Sequence, residues 1–258
     1  MNQLLLSTIV GYCSSLFASI SYMLILKYLK KKKTIYTHII NTIICGSVIA
    51  GIIYAITPRI PTADRVFSDF NSGFPLTANN VQWGVFNDCP YNGNSNITPF
   101  ILTSAGNSGD CYLVLDYYLG EKSITRPYCG VFAGFAPKPA DPRDASEYNG
   151  IKIEIWHEDN TPIPKGVHIY IQISPYRMIS EYDGYHQYEL TENAKSLNSL
   201  IVTIPFADFT QPPERAGQKV PLTKDLQKAI YQIAIVIQGE KSQISTGRVL
   251  IDNIEFYK

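Results

Sequence analysis

Two uncharged apolar runs near the N-terminus constrain this chain more than any other feature. Residues 4–26 and 35–56 contain no Asp, Glu, Lys or Arg. As a helix, each run would be about 33 Å long, enough to cross a hydrocarbon core of about 30 Å. Backbone hydrogen bonds in lipid must be satisfied within the segment. Each run therefore predicts a transmembrane helix.

The loop between the runs sets the expected orientation. Residues 27–34 (KYLKKKKT) include five lysines, and lysine-rich loops stay on the cytoplasmic side. We therefore expect an integral membrane protein whose N-terminus and C-terminal domain lie on the non-cytoplasmic side. The predicted domains are a transmembrane hairpin over 1–57, a linker over 58–63 that Pro58 and Pro61 begin, and an extracytoplasmic domain over 64–258.

Two alternatives stay open for these runs. The first run could be a cleaved signal peptide, although residues 1–3 carry no basic side chain and the apolar stretch is long. One of the runs could instead be re-entrant or interfacial. His38 and Asn41 share one helix face in the second run, where they could lie near the interface or contact a partner helix.

Charge divides the chain in the same place. Six of the 22 basic residues precede Asp64 and none of the 22 acidic residues does, which leaves 16 basic against 22 acidic side chains after it. An acidic domain disfavours nucleic acid and anionic lipid as ligands. The expected partners of the acidic domain are therefore neutral glycans or protein surfaces. Residues 4–26 and 35–56 are expected to contact the lipid bilayer.

The rest of the chain predicts an all-β domain. Short alternating or apolar runs are separated by Asn-Gly, Ser-Gly, Asp-Gly and Pro-Pro turns, which is typical of a sandwich or jelly roll. One short helix is predicted over 223–229. The predicted strands are 65–69, 82–87, 97–103, 111–119, 129–135, 150–156, 167–174, 185–191, 200–205, 230–237 and 249–257.

The segment 167–174 has the pattern of a strand with one buried face. Alternate residues are Val or Ile, and those between them are His168, Tyr170, Gln172 and Ser174, so the two sets point to opposite sides of a sheet. A face of rings and amides is neither charged nor apolar. The segment 185–191 (YHQYELT) has a similar composition.

An ordered series of motifs extends over residues 64–258. It resembles the galactose-binding-like jelly roll of family-eleven carbohydrate-binding modules, and the domain named after the complex I intermediate-associated protein of thirty kilodaltons. The resemblance implies a jelly-roll β-sandwich and covers neither apolar run. Its motifs are 67–73 (FSDFNSG), 83–88 (WGVFND), 93–95 (GNS), 148–151 (YNGI), 182–185 (YDGY), 204–209 (IPFADF) and 251–256 (IDNIEF).

The same resemblance implies a structural Ca²⁺ between the first and last strands. The matching ligands are Asp69 and Asp252, with the Asn71 or Gly73 carbonyl and Asn94 as further oxygen ligands, and Ca²⁺ takes 6–8 oxygen ligands of these kinds. Alternatively, the two carboxylates cap turns or pair with arginines.

The resemblance also implies a carbohydrate site on a concave sheet face. Aromatic rings stack on sugars, while amides, carboxylates and Arg bind hydroxyl groups. The candidate ligand-binding residues are Tyr128, His168, Tyr170, Tyr176, Arg177, Tyr182, Asp183, Tyr185, His186 and Tyr188.

These features favour a membrane-anchored, non-catalytic carbohydrate-binding protein. The alternative is an accessory or assembly subunit of a larger membrane complex, in which the same domain docks onto protein subunits. A glycan hydrolase would need a carboxylate pair from Glu154, Asp183 and Glu189, and the sequence contains no other catalytic motif that we recognise.

Three cysteines belong to the β domain. Cys89 could pair with Cys111, or Cys111 with Cys129, or none of the three with another. The sequence does not choose between these states.

Overall fold

Short strands with alternating burial dominate the computed structural model. It describes residues 42–43, 45–47, 49, 60–103, 111–121, 126–136, 141–157, 163–175, 184–191, 200–212 and 221–258. The chain divides into two units, Met1–Arg59 and Ile60–Lys258. The second unit is a two-sheet, jelly-roll-like β-sandwich, as the turn spacing and alternation predict.

Eleven strands build the described part of the sandwich, close to the predicted bounds. The main difference is the last strand, which begins four residues before its predicted start at Val249. The strands are β1 (Val66–Ser68), β2 (Gly84–Asn87), β3 (Asn96–Thr103), β4 (Cys111–Leu119), β5 (Tyr128–Gly134), β6 (Gly150–His157), β7 (Val167–Pro175), β8 (His186–Glu189), β9 (Leu200–Pro205), β10 (Ile230–Gly239) and β11 (Ser245–Tyr257).

The strands form two antiparallel sheets. The six-stranded sheet has the order β3-β4-β11-β6-β9, with β1 paired to β11, and the five-stranded sheet has the order β2-β5-β10-β7-β8. Apart from the consecutive pairs β3–β4 and β7–β8, neighbouring strands in both sheets are far apart in sequence. The β5 and β10 pair, for example, joins Tyr128 to Gln238.

The core lies between the sheets and is built from the alternating apolar residues. On β7, Ile169, Ile171 and Ile173 are fully buried, and Ile153 and Ile155 on β6 are equally buried in the other sheet. Burying each such side chain contributes about 2 kcal/mol. Of the intervening residues of β7, His168, Tyr170 and Gln172 are half-buried, so they point outward and are available for function, whereas Ser174 is buried.

The domain begins earlier than predicted. Pro61 accepts a hydrogen bond from the Asp144 amide (2.8 Å), and the Ala63 amide donates one to the Asp144 carbonyl (2.8 Å). The Tyr148 hydroxyl donates to the Ala63 carbonyl at 2.9 Å. Residues 61–63, predicted to be a linker, therefore belong to the sandwich, because these bonds fix their backbone.

The predicted helix over 223–229 is shorter in the structure, Lys224–Gln227 (α1), and Thr223 is its N-cap residue. The predicted transmembrane runs 4–26 and 35–56 lie outside the described residues, apart from six positions between Thr42 and Ile49 that are helical. Among the residues that are described, no helix has the length and apolar character needed to cross a membrane.

Candidate functional site

The outward face of the five-stranded sheet carries rings and amides in register. In the middle row, Phe86 lies opposite Gly130, which pairs with Val236; Val236 pairs with Tyr170, and Tyr170 with Glu189. The next row ends with Gln172 opposite Gln187. Since residues in register share a face, five strands contribute to one surface.

A cleft of about 1240 Å³ lies over this surface. Its aromatic, amide and charged lining comes from all five strands and from the loops beside them. The lining residues are Phe86, Tyr91, Arg126, Tyr128, Tyr170, Gln172, Tyr185, Gln187, Tyr188, Glu189, Asp208, Thr210, Pro212, Val236, Gln238 and Lys241.

Glycines on this face make room for aromatic rings. A Cβ on Gly130 would lie 2.5 Å from Cζ of Phe86, and a Cβ on Gly84 would lie 2.8 Å from Cζ of Phe132. The rings therefore lie directly over the glycine backbone. Phe86 is also 6.2 Å from Phe132 and 6.3 Å from Tyr128, measured between ring centroids. This arrangement gives the β2–β5 side of the sheet an aromatic floor.

The β7–β8 side is held by hydrogen bonds between polar side chains. Gln172 donates to Gln187 at 3.2 Å, and the His168 Nδ1 atom lies 2.8 Å from the Glu189 carboxylate. Thr191 donates to the same carboxylate oxygen at 2.9 Å. The His168 ring also stacks on Tyr170, with centroids 6.1 Å apart. These contacts restrict the side-chain rotamers before any ligand binds.

Tyr128 is a neutral hydrogen-bonding group in the cleft. Burial raises the pKa of its phenol, and Tyr91, Asp88 and Tyr185 raise it further. The hydroxyl therefore keeps its proton at neutral pH and can donate as well as accept a hydrogen bond. Asp88 lies below it, fully buried, where both of its carboxylate oxygens accept hydrogen bonds from Ser95.

The structure brings part of the predicted ligand-binding set together. Tyr128, Tyr170, Tyr185 and Tyr188 all line the cleft, and His168 adjoins it through Tyr170. Tyr188 is also packed partly against the core. The predicted contacts Tyr176, Arg177, Tyr182 and Asp183 lie outside the described residues.

His186 does not belong to this surface. Its side chain is fully buried, because His186 lies opposite Ile173, whose side chain points into the core. Burial lowers the pKa of His186 to about 4, against a smaller opposing effect of the Pro221 backbone. The prediction that it contacts a ligand is therefore wrong.

Sequence reasoning missed much of the cleft lining. Phe86, Gln238 and Lys241 come from strands or turns whose outward face cannot be assigned without the strand register. Gln172 was recognised as outward-facing, and the composition of 185–191 was noted, yet neither glutamine of the Gln172–Gln187 pair was among the predicted contacts.

The predicted calcium ligands do not form one set. Asn96 pairs with Tyr118 and Ile251 pairs with Leu113, so Asn94 and Asp252 lie toward opposite ends of β4. Five residues of strand already separate them by about 17 Å, whereas two ligands of one Ca²⁺ lie within about 5 Å of each other. Asn94 is therefore wrong as a co-ligand.

Asp69 and Asp252 make local contacts in the structure. The Asn71 amide donates to Asp69 at 3.2 Å, and the Asn253 amide and side chain donate to Asp252 at 2.8 and 2.9 Å. Within the described parts of the chain, no group of three or more His, Cys, Asp or Glu residues could hold a metal ion. A calcium site at Asp69 and Asp252 stays a prediction.

The positions of two carboxylates bear on the glycan hydrolase alternative, and the cysteines bear on the disulfide alternatives. Glu154 lies on β6 and Glu189 on β8, in different sheets, so these two carboxylates cannot flank one glycosidic bond.

Cys111 and Cys129 are buried, Cys89 is exposed, and all three are free thiols. Burial also raises the pKa of Cys129, which keeps that thiol protonated and unreactive.

Comparison with known proteins gives matches only among solved structures. No protein-family model matches this chain, and no curated protein matches it significantly. Solved structures similar to it include carbohydrate-binding modules of families 11, 27 and 28, and parts of an exo-β-agarase and a β-1,2-glucanase.

Two of these solved structures cover about three quarters of this chain. A family 11 module of a cellulosomal cellulase of Clostridium thermocellum is 16% identical over 76% of this chain and 95% of that chain, with a TM-score of 0.47. A family 27 module of Caldicellulosiruptor saccharolyticus, solved with mannohexaose, is 12% identical over 76% of this chain and 98% of that chain, with a TM-score of 0.47. At such low values, function has to be argued from the cleft itself.

Proposed function

We propose that this chain is a non-catalytic glycan-binding protein and that the cleft over the five-stranded sheet is its binding site. The observation that carries the proposal is the lining of the cleft. Tyrosine and phenylalanine rings from β2, β5 and β7 line it together with the side-chain amides of Gln172, Gln187 and Gln238.

This combination matches the two kinds of surface on a sugar. The CH groups of a pyranose ring form an apolar face that packs on an aromatic ring, and its hydroxyl groups need paired donors and acceptors. A side-chain amide supplies both. Because Gln172, Gln187 and Glu189 are already held by neighbours, binding costs less rotamer entropy.

The size of the cleft favours an oligosaccharide over a monosaccharide. Its volume of about 1240 Å³ exceeds the range of about 300–1000 Å³ that holds a drug-sized ligand. The cleft also crosses five strands, or about 19 Å at 4.8 Å per strand spacing. A ligand of that length has several sugar rings.

Titration calorimetry and a glycan array on the full-length chain test the proposal. The chain is kept in mild detergent because of its two apolar runs. We expect a saccharide that binds with a dissociation constant below about 1 mM, with binding weakened by Tyr170→Ala and by Gln172→Ala. The matched control is Tyr118→Ala, which removes an exposed tyrosine from the other sheet.

Two outcomes would refute the proposal. One is the absence of any saccharide that binds in that range. The other is binding that Tyr170→Ala and Tyr118→Ala change equally. A stoichiometric membrane complex that co-purifies with a chain unable to bind glycans would instead favour the accessory-subunit alternative.

We propose further that residues 4–26 and 35–56 anchor the glycan-binding domain to a membrane. The support is their uncharged sequence and the five lysines between them, which favour the cytoplasmic side of a membrane. The test is extraction of membranes with alkaline carbonate. The full chain should remain in the pellet and a chain lacking residues 1–57 should not, whereas release of both would refute the anchor.

A further inference from the structure

Three aromatic rings form a continuous stripe along β5. The outward positions of this strand include Tyr128, Gly130 and Phe132, and the Phe86 ring from β2 lies over Gly130. The centroid of the Phe86 ring lies 6.3 Å from that of Tyr128 and 6.2 Å from that of Phe132. The ring from the neighbouring strand therefore fills the gap that Gly130 leaves. We call Tyr128, Phe86 and Phe132 the β5 stripe.

The β5 stripe extends beyond the cleft by one ring. Tyr128 and Phe86 line the cleft, whereas Phe132 is not among the described residues that line it. Phe132 is nevertheless 36% exposed and lies on the same outward face, in register with Ala234 and Gln172. A solitary exposed phenylalanine needs no explanation. An exposed ring that continues a row of cleft rings is a candidate part of the same binding surface.

The Phe132 ring is held against the sheet. A Cβ on Gly84 would lie 2.8 Å from Cζ and 2.9 Å from Cε1 of Phe132, so the far end of the ring lies over Gly84 of β2. The ring therefore extends from β5 across the neighbouring strand, and the Phe86 ring contacts it from a second side. Because both contacts restrict the ring before a ligand binds, packing a sugar on its exposed surface costs little rotamer entropy.

Phe132 lies beside the path that the cleft takes across the sheet. That path follows the row through Gly130, Val236 and Tyr170, each on a different strand. Phe132 is two residues from Gly130 along β5, which is about 7 Å. A linear chain that follows the row moves from strand to strand and passes beside Phe132. A substituent on the sugar above Gly130 that points along β5 reaches the Phe132 ring.

We infer that Phe132 is a further sugar-binding position and that the glycan bound by this protein is branched. The main chain follows the cleft across the strands, and a side-branch sugar packs on Phe132. The inference rests on the proposed function and narrows its ligand class to glycans with side branches. Such packing depends on an aromatic ring and the CH groups of the sugar rather than on charge, so a neutral branch sugar suits this position.

The experiment compares two pairs of ligands on the full-length chain in mild detergent, by titration calorimetry. The ligands of a pair share a backbone and differ in their branches. Cello-oligosaccharides are compared with xyloglucan oligosaccharides, which carry xylose branches, and manno-oligosaccharides with galactomannan oligosaccharides, which carry galactose branches. A glycan array presents other backbones in linear and branched form. We expect a branched ligand to bind at least about fivefold more tightly than its linear counterpart, because one more sugar packs on a ring.

Substitutions at Phe132 then locate the preference. Phe132→Ala should lower the affinity for the branched ligand to that for the linear one, whereas Phe132→Tyr retains the ring and should keep the preference. The matched control is Tyr118→Ala, which removes a ring of similar exposure (38%) from the outward face of the other sheet. It should leave the preference unchanged. A thermal melt of each variant checks that the fold is retained.

Gly84→Ala tests the same position without replacing Phe132. The added Cβ would be too close to Cζ of Phe132, at 2.8 Å, so the ring has to move away from its place on the sheet. We expect the preference for the branched ligand to fall, while the affinity for the linear ligand changes by less than about twofold. The same thermal melt checks the fold of this variant.

The outcomes separate this inference from the proposed function. Equal binding of branched and linear ligands, or binding of linear glycans alone, would overturn the branch inference and leave glycan binding standing. A preference that survives both Phe132→Ala and Gly84→Ala would overturn the assignment to Phe132, as would a Phe132→Ala variant that weakens both ligands equally. If neither these ligands nor any glycan on the array binds, both proposals are wrong.

Discussion

The outward faces of the two sheets both carry aromatic residues, but they use them differently. On the six-stranded sheet, Tyr112 packs edge-on against Trp156 with centroids 4.9 Å apart, and the Arg248 guanidinium lies 5.5 Å from the Phe100 ring. Val114 and Leu250 occupy this outward face and are nevertheless buried. The rings of this face are engaged with one another.

The rings of the five-stranded sheet leave an open surface. Phe86 lies over glycine, and its ring is 6.2 Å or more from the rings of Phe132 and Tyr128. Apart from Ala234 and Val236, the positions around these rings are filled by amides and a carboxylate rather than by further apolar groups. Aromatic content alone therefore does not mark a binding face. The spacing of the rings and the polar groups between them do.

The largest expected effect concerns the two histidines on opposite sides of the five-stranded sheet. His186 on the buried side has its pKa lowered to about 4 from 6.5. Below pH 6.5 the unfolded chain takes up a proton that the folded chain refuses until about pH 4, so stability falls as the pH falls through this window. The loss reaches up to about 3 kcal/mol.

Chemical denaturation at several pH values measures that loss. His186→Gln should flatten the part of the pH dependence between pH 6.5 and 4. The same substitution at His168, on the cleft side, should retain the full decrease. An unchanged pH dependence in His186→Gln would show that His186 is not buried as described.

A smaller effect is expected from Trp156→Ala on the six-stranded sheet. The ring contacts Tyr112 and lies beside Leu250, its partner in the strand register. Removing it exposes apolar surface and should lower the free energy of unfolding by about 2 kcal/mol. Glycan binding should stay the same. A large loss of binding would contradict the distinction between the two faces.

The converse change is Tyr170→Ala in the cleft. Tyr170 is half-buried and touches His168, so we expect a stability loss below about 1 kcal/mol. Glycan affinity, measured by calorimetry, should fall about tenfold, or by about 1.4 kcal/mol. If Tyr170→Ala changes stability more than binding, the ring is structural and the cleft assignment weakens.

The smallest effect is expected from the ion pair on the six-stranded sheet. Arg248 binds both carboxylate oxygens of Asp116, one of them at 3.0 Å, and both side chains are about one-third exposed or more. Asp116→Asn should therefore cost no more than about 1 kcal/mol, and salt should reduce the difference. A loss that salt does not change would indicate packing rather than charge.

Much of the fold followed from local patterns. The eleven predicted strands match the eleven that the described residues form, because alternation and turn residues are written in adjacent positions. The side of β7 that faces the core was also predicted correctly, because all its Val and Ile residues lie on one side of the strand. The segment 185–191 has no such apolar face, and the exposure of His186 was therefore assigned wrongly.

The candidate site was predicted only in part. Tyr128, Tyr170, Tyr185 and Tyr188 were singled out by composition and by the family resemblance. Lys241 was not, because it lies after the last apolar residues of β10 and resembles any other surface lysine. Asn94 was assigned to a metal site from its place in a motif, although the register separates it from Asp252.

The sequence by itself determined the division of the chain, the strand segments and the buried side of the strongly alternating ones. These properties depend on residues that are neighbours along the chain. Only the tertiary structure decided which strand ends meet and which outward side chains share a surface. Strand pairing joins residues more than a hundred positions apart, such as Tyr128 and Gln238, and a shift of one residue would exchange the two faces of a strand. The cleft and the difference between the two sheet faces both depend on that register.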